Sequence, residues 1–238
     1  RGLVYDRNGV VLAENTSTYH LEITPEQVED MDATLQGLSE IVALSDAEIE
    51  RFREQLKVNR SFQQISLRTR LTEEEVARLA VNRHRFPGMD INARLSRHYP
   101  QAEVAAHLVG YVGRINEAEL ALIDEGNYRG TTHIGKTGLE KYYEAELHGT
   151  VGRQNVEVNA QGRILRDIDQ VAPVPGNDLT LNIDIELQNI ASEALGEFAG
   201  SVIAIEPYTG NVLTFVSKPS YDPNLFVHGI SHKDYDAL

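Results

Sequence analysis

The chain has no cysteine among its 238 residues. That excludes a disulfide framework, a thiolate metal site and a cysteine nucleophile, and it suits a reducing or an oxidising compartment equally. No apolar run approaches the roughly 18 residues that would span a bilayer, and the sequence as it stands reads as soluble, with no signal peptide at its start. Basic side chains are in deficit: 22 Lys and Arg against 36 Asp and Glu give a net charge of −14, which argues against nucleic acid as a partner and suits a solvated acidic surface. The eight histidines are scattered. His228 and His232 alone share i, i+4 spacing, and no glutamate lies between them, so neither a metal nor a cofactor is expected. With 41% hydrophobic residues, the chain has enough apolar material for a core.

From the N-terminus, two apolar-rich runs joined by a turn ending in Asn8 and Gly9 predict a β-hairpin. Tyr19 to Ile23 alternates as a third strand. Thr24, Pro25 and Gln27 read as the capping box of a helix whose apolar face holds Leu35, Leu38, Ile41 and Val42. Two further boxes, Ser45 with Glu48 and Thr72 with Glu75, open helices to Lys57 and His84. Ile65 and Leu67 mark a strand, and Met89, Ile91, Ala93 and Leu95 alternate with polar residues as another. A short helix covers Ala102 to Val109. A second, from a box at Asn116 and Glu119, stops at Gly126, leaving Asn127, Tyr128 and Arg129 as a loop. Beyond Gly149 the chain turns extended, with strands at Val151 to Val158, Ile164 to Val171 and Leu179 to Ile183 punctuated by Gly162, Pro173, Pro175 and Gly176. Asp184 caps a helix that ends near Gly200, and a hairpin from Val202 to Val216 follows.

Gly130 to Gly149 admits three readings. Gly130 to Thr137 spells the G-x-x-x-x-G-K-T of a phosphate loop, but that loop needs a buried strand feeding it, and a short helix precedes it here. Lys136, Thr137 and Gly138 also spell the K-T-G of penicillin-recognising serine enzymes. No serine in the sequence has a lysine three positions later, and no Ser-x-Asn is present. The residue pattern favours a Gly-rich turn opening an amphipathic helix through Leu139, Tyr142, Tyr143 and Leu147.

In order and spacing, these pieces resemble the class B, monofunctional penicillin-binding proteins. Arg1, Gly2, Asp6, Arg7 and Gly9 resemble the family's opening motif. Arg97, Tyr99 and Pro100 with His107 and Gly110 resemble the second, and Gly138, Leu139, Glu140, Tyr143 and Gly149 the third. Asp184, Leu187 and Gln188 resemble the lead into the transpeptidase domain. Ile205 to Leu213 and Ser217 to Asn224 resemble that domain's first hairpin and its exit. Pro219 to Phe226 and the Gly130 to Gly135 approach resemble elongation-type members.

The resemblance implies an α+β fold: an elongated β-rich pedestal over residues 1–175 with an inserted helical head at about 24–130, then an incomplete α/β transpeptidase domain over 176–238. It implies a periplasmic location, held at the inner membrane by an N-terminal helix that this sequence does not contain. It further implies a role in cell-wall cross-linking during elongation, with a SEDS-family glycosyltransferase and a rod-shape scaffold protein as partners. Stem peptides and β-lactams would bind only through a catalytic part that these residues lack, so no catalytic residue is expected. The motif positions are assigned structural roles, and Ser217, Ser220 and Ser231 turn or strand chemistry. A stand-alone interaction module and, far behind it, a phosphate-loop hydrolase are the alternatives.

Overall fold

The computed structural model describes residues 1–128, 130–159, 164–230 and Tyr235. Arg129, Gly162, Ser231 and His232 lie outside the described residues. The chain mixes helices and strands and forms two compact units, one of Arg1–Thr16 with Arg97–Leu238, the other of Ser17–Ser96. In chain order the first 98 residues hold β1 (Val4–Tyr5), β2 (Val11–Ile23), α1 (Met31–Ile41), α2 (Asp46–Val58), β3 (Ile65–Leu71), α3 (Glu73–Asn82) and β4 (Met89–His98). The short elements α4 (Ala106–Val109), β5 (Val112–Arg114), α5 (Glu117–Leu120), α6 (Glu125–Tyr128), β6 (His133–Gly135), α7 (Gly138–Tyr142) and α8 (Glu144–His148) follow. The chain continues with β7 (Arg153–Val158), β8 (Ile164–Val171), β9 (Leu179–Thr180), α9 (Ile185–Leu195), β10 (Gly200–Ile205), β11 (Val212–Lys218) and α10 (Asn224–Val227). Among the described residues no helix is long and apolar enough to cross a membrane.

In the Ser17–Ser96 unit, Leu21, Ile23, Leu35, Leu38, Phe52, Leu67 and Leu79 meet in one apolar core. Complete burial of a side chain such as Phe52 contributes about 2–3 kcal/mol. Local chemistry sets the helix starts. Asp30 accepts from the Ala33 N–H ahead of α1, and reciprocal boxes at Ser45 with Glu48 and Thr72 with Glu75 open α2 and α3. Arg68 on β3 ties α3 to the connection between α1 and α2: its guanidinium donates to the Ala43 carbonyl at 2.7 Å and lies 3.1 Å from Glu75. β3 runs antiparallel to the end of β2, Ile23 facing Ile65.

Four sequence expectations need correction, the first being that the single helix expected through Leu139 and Leu147 is two, α7 and α8, interrupted at Tyr143. The strands expected at Val10 to Ala13 and Tyr19 to Ile23 are one 13-residue strand, β2. Thr24 makes no side-chain cap, and Pro25–Gln27 is an isolated 3₁₀ turn, α1 starting only at Met31. The helix expected to stop at Gly126 ends at Leu120, and a separate turn of helix, α6, includes Gly126.

In the larger unit β1 is central, antiparallel to the start of β2 and parallel to β9, Val4 facing Leu179. Val4, Leu12, Tyr99, Val109, Val112, Leu147 and Ile185 form its core. Gln188 on α9 is fully buried and fully satisfied. Its amide donates to the carbonyls of Val104 at 2.9 Å and Phe215 at 2.7 Å, and accepts from Thr214 Oγ1 and the Phe215 N–H, each at 2.7 Å.

Candidate functional site

Among the described residues of the larger unit, a dense polar constellation forms where the chain's first residues meet the end of β4 and the α7–α8 pair. Glu140 is fully buried. Its carboxylate accepts from Arg1 Nε at 2.7 Å, Arg97 Nε at 2.6 Å and the Tyr99 hydroxyl at 3.3 Å. Arg97 Nη1 also donates to the Gly2 carbonyl at 2.7 Å. Arg1 divides its donors between two residues, reaching the Glu140 carbonyl at 2.9 Å and both Glu144 oxygens at 3.0 and 2.6 Å. Glu144 further accepts from the Gly135 N–H and the Tyr128 hydroxyl, each at 2.8 Å. Two guanidinium groups thus face two carboxylates, and the cluster carries no net charge.

These contacts set the ionisation states. Burial opposes the charge on Arg1, but hydrogen bonds and charge from Glu144 and Glu140 outweigh it and raise its pKa. Burial also works against ionised Glu144, and Arg1, Gly135 and Tyr128 together hold it below the usual carboxylate value. Burial, then the Glu140 charge, pushes Tyr99 well above the ordinary phenol value. Tyr128 rises through burial and Glu144. Each group is thereby fixed in one protonation state near neutrality, an arrangement suited to fastening chain segments together and unsuited to moving protons.

The remaining motif residues occupy neighbouring joints. Asp6 is buried and accepts from the N–H groups of Asn8, Val10 and Ile185, joining the hairpin turn to the start of α9. The Arg7 N–H donates to the Ile183 carbonyl, and exposed Gly9 closes the turn. Gly2 donates to the Leu147 carbonyl. The backbone of Tyr99 is bracketed by the Asn224 side chain, and its hydroxyl accepts from the Val112 N–H. Pro100 follows on the surface. His107 Nε2 lies 2.9 Å from the Pro219 carbonyl, and its ring meets Tyr221 edge-on. Gly110 sits at φ +74°, where a Cβ would lie 2.0 Å from the Thr137 carbonyl oxygen, and Gly138 makes the reciprocal close approach to Gly110. Leu139 is half-buried, Tyr143 packs against the core, and the Gly149 carbonyl accepts from Asn127.

Lys136 pairs with Glu119, and β6 occupies the middle of the supposed phosphate loop. Ser220 donates to the Glu103 carbonyl, and Ser217 faces Ser201 in the β10–β11 hairpin. Among the described residues no group of acidic and histidine side chains could hold a metal ion. Tyr128, Asn15 and Asn127 were not anticipated. Tyr128 stacks on His148 at 4.2 Å, Asn15 donates to the Arg1 carbonyl, and Asn127 also receives the Val151 N–H. An aromatic residue in a short polar loop was the one signal available for Tyr128.

A family model described as the Penicillin-binding Protein dimerisation domain matches residues 1–181. The chain belongs to this family. It is 43% identical to the peptidoglycan D,D-transpeptidase MrdA of Acinetobacter baumannii over 238 residues, all of this chain and 35% of the relative. It is also 43% identical to MrdA of Escherichia coli, covering 38% of that protein. A solved complex between a penicillin-binding protein (PBP2) and MreC from Helicobacter pylori matches with a TM-score of 0.77 at 26% identity, over 100% of this chain and 44% of that one. Pseudomonas aeruginosa PBP2, solved with WCK 5153, matches with a TM-score of 0.59 at 36% identity, over 100% of this chain and 33% of that one. The chain therefore spans a little over a third of the length of the curated relatives it matches.

Proposed function

We propose that these residues are the non-catalytic pedestal of an elongation-type peptidoglycan D,D-transpeptidase, residues 1–175 with a head at about 24–130, followed by the leading part of the transpeptidase domain from 176. The observation that carries this reading is a match to MrdA over the whole chain in a sequence without the Ser-x-x-Lys that acyl transfer requires. In the whole protein, a serine elsewhere in the chain would open D-Ala-D-Ala stem peptides and pass the acyl group to a neighbouring amine. The pedestal positions that domain. The ionic cluster around Glu140 suits the task, since it fastens the chain's first residues to α7 and α8 without offering a reactive group.

The reading includes a periplasmic location, an N-terminal membrane anchor, and contacts with a rod-shape scaffold protein and a SEDS-family glycosyltransferase. The Helicobacter PBP2 solved with MreC supports the scaffold partner. Fluorescent penicillin tests the proposal. The 238-residue chain should remain unlabelled, while a longer protein that carries these residues and a Ser-x-x-Lys should label. Labelling of the short chain, or of neither, would overturn it.

A further inference from the structure

The β7–β8 hairpin is the least supported part of the larger unit. Among the described residues no other strand pairs with it, and every β8 side chain from Leu165 to Val171 is exposed, Leu165 by 62% and Ile168 by 66%. A two-stranded ribbon of this kind is marginal by itself in water.

Its two edges differ. Along the ladder Asn155 faces Asp169 and Val156 faces Asp167, so Ile168 is an extra residue; Glu157 faces Arg166 and Val158 faces Ile164, so Leu165 is another. Both bulges lie on β8, and Pro173 and Pro175 follow it. Bulges and prolines are the features that keep a strand edge from pairing further. β7 has neither: its six residues run without an extra residue or a proline. One edge is blunted and the other is open.

The charges on the open edge are self-complementary. When β7 is laid antiparallel against itself about Asn155, Arg153 faces Glu157 twice. Glu157 already pairs with Arg166 across the hairpin, so the row would alternate in sign as Arg166, Glu157, then Arg153 of a second copy. Opposite charges directly across strands stabilise the pairing, and a two-fold axis through Asn155 makes the contact isologous and closed. We propose that the open edge of β7 pairs antiparallel with β7 of a second copy of this chain, joining two hairpins into a four-stranded sheet. This goes beyond the family's description as a dimerisation domain, which names no strand, by assigning the contact to one edge and one register.

The absence of cysteine allows a direct test. Asn155→Cys places the single thiol of each copy on the axis, where antiparallel neighbours have the Cα separation a disulfide needs. Under mild oxidation N155C should form covalent dimers much faster than Asp169→Cys on the blunted edge. Equal rates, or no dimer from N155C, would overturn the proposal.

Sedimentation velocity supplies a second readout. Arg153→Glu and Glu157→Arg should each weaken self-association about tenfold, since like charges then face each other twice. The triple variant R153E/E157R/R166E should restore it, since Glu157 also faces Arg166 across the hairpin and that pair must be reversed with it. A wild-type chain that stays monomeric across the accessible concentration range would refute the pairing. So would single variants that associate normally, or a triple variant that does not recover. Circular dichroism of all variants confirms that the fold is retained.

Discussion

Replacing Glu140 with glutamine keeps the shape of the side chain and removes its charge. In the folded chain that carboxylate lies between Arg1 and Arg97, is fully buried, and leaves the Arg97 side chain 2% exposed. Arg1 retains Glu144 as a partner, whereas Arg97 keeps only neutral acceptors, and its Nη2 has no hydrogen-bond partner even in the wild type. The new amide would also turn an N–H₂ toward groups that are themselves donors. Breaking a buried ion pair by removing one partner costs about 3–5 kcal/mol. At about 2–4 °C per kcal/mol for a chain of this size, the Tm should fall by roughly 6–20 °C. Thermal and urea unfolding followed by circular dichroism would measure it. Glu144→Gln, at a site that is 15% exposed, should cost less. A variant with Glu140→Leu and Arg97→Met together should be more stable than Glu140→Gln alone, because it leaves no charge unpaired at Arg97. A Glu140→Gln loss below about 1 kcal/mol would refute this account of the cluster as a structural fastening.

Gly110→Ala should cost about 3 kcal/mol or more, since it combines a Gly-only backbone conformation with an overlap against Thr137. Gly9→Ala, at φ +85° with nothing within 4 Å, should cost only about 1 kcal/mol; equal urea midpoint shifts for the two would contradict the close-approach argument. Burial holds His20, His133 and His148 below their ordinary value of 6.5, so the unfolded chain takes up protons first. Their stabilisation is therefore present above pH 6.5 and lost as the pH falls below it. The urea midpoint should drop between pH 7.5 and 5.5, and His148→Gln should reduce the drop; a midpoint that is flat over this window would be the contrary result.

What could be read from the sequence depended on how far apart the interacting residues lie. The boxes at Ser45 with Glu48, Thr72 with Glu75 and Asn116 with Glu119 are complete within four residues, and all three form. Thr24 with Gln27 shows a similar pattern and fails because tertiary bonds compete: the Thr24 N–H donates to the Gly88 carbonyl and the Glu26 N–H to the Ser61 carbonyl. Between α5 and α6 the Asp124 carboxylate accepts from the Gly126 N–H and starts a new turn of helix. The ion pairs of the cluster join residues 43 to 143 positions apart. No periodicity or spacing rule reaches that far, and only the family resemblance marked Arg1, Arg97 and Glu140. The K-T-G spelling reflects two unrelated demands, an ion pair from Lys136 to Glu119 and a close backbone approach at Gly138.

The parallel pairing of β1 with β9 bears on the order of events during synthesis. Val4 has its partner at Leu179, so the first strand cannot complete its sheet until some 175 residues have followed it. The intervening Ser17–Ser96 unit is contiguous and holds its own core. Closing so long a loop is entropically costly before its contacts form, and domains tend to fold as units as they are made. The inserted unit is thus expected to fold on the nascent chain first, while the opening residues wait for the segments that will bind them.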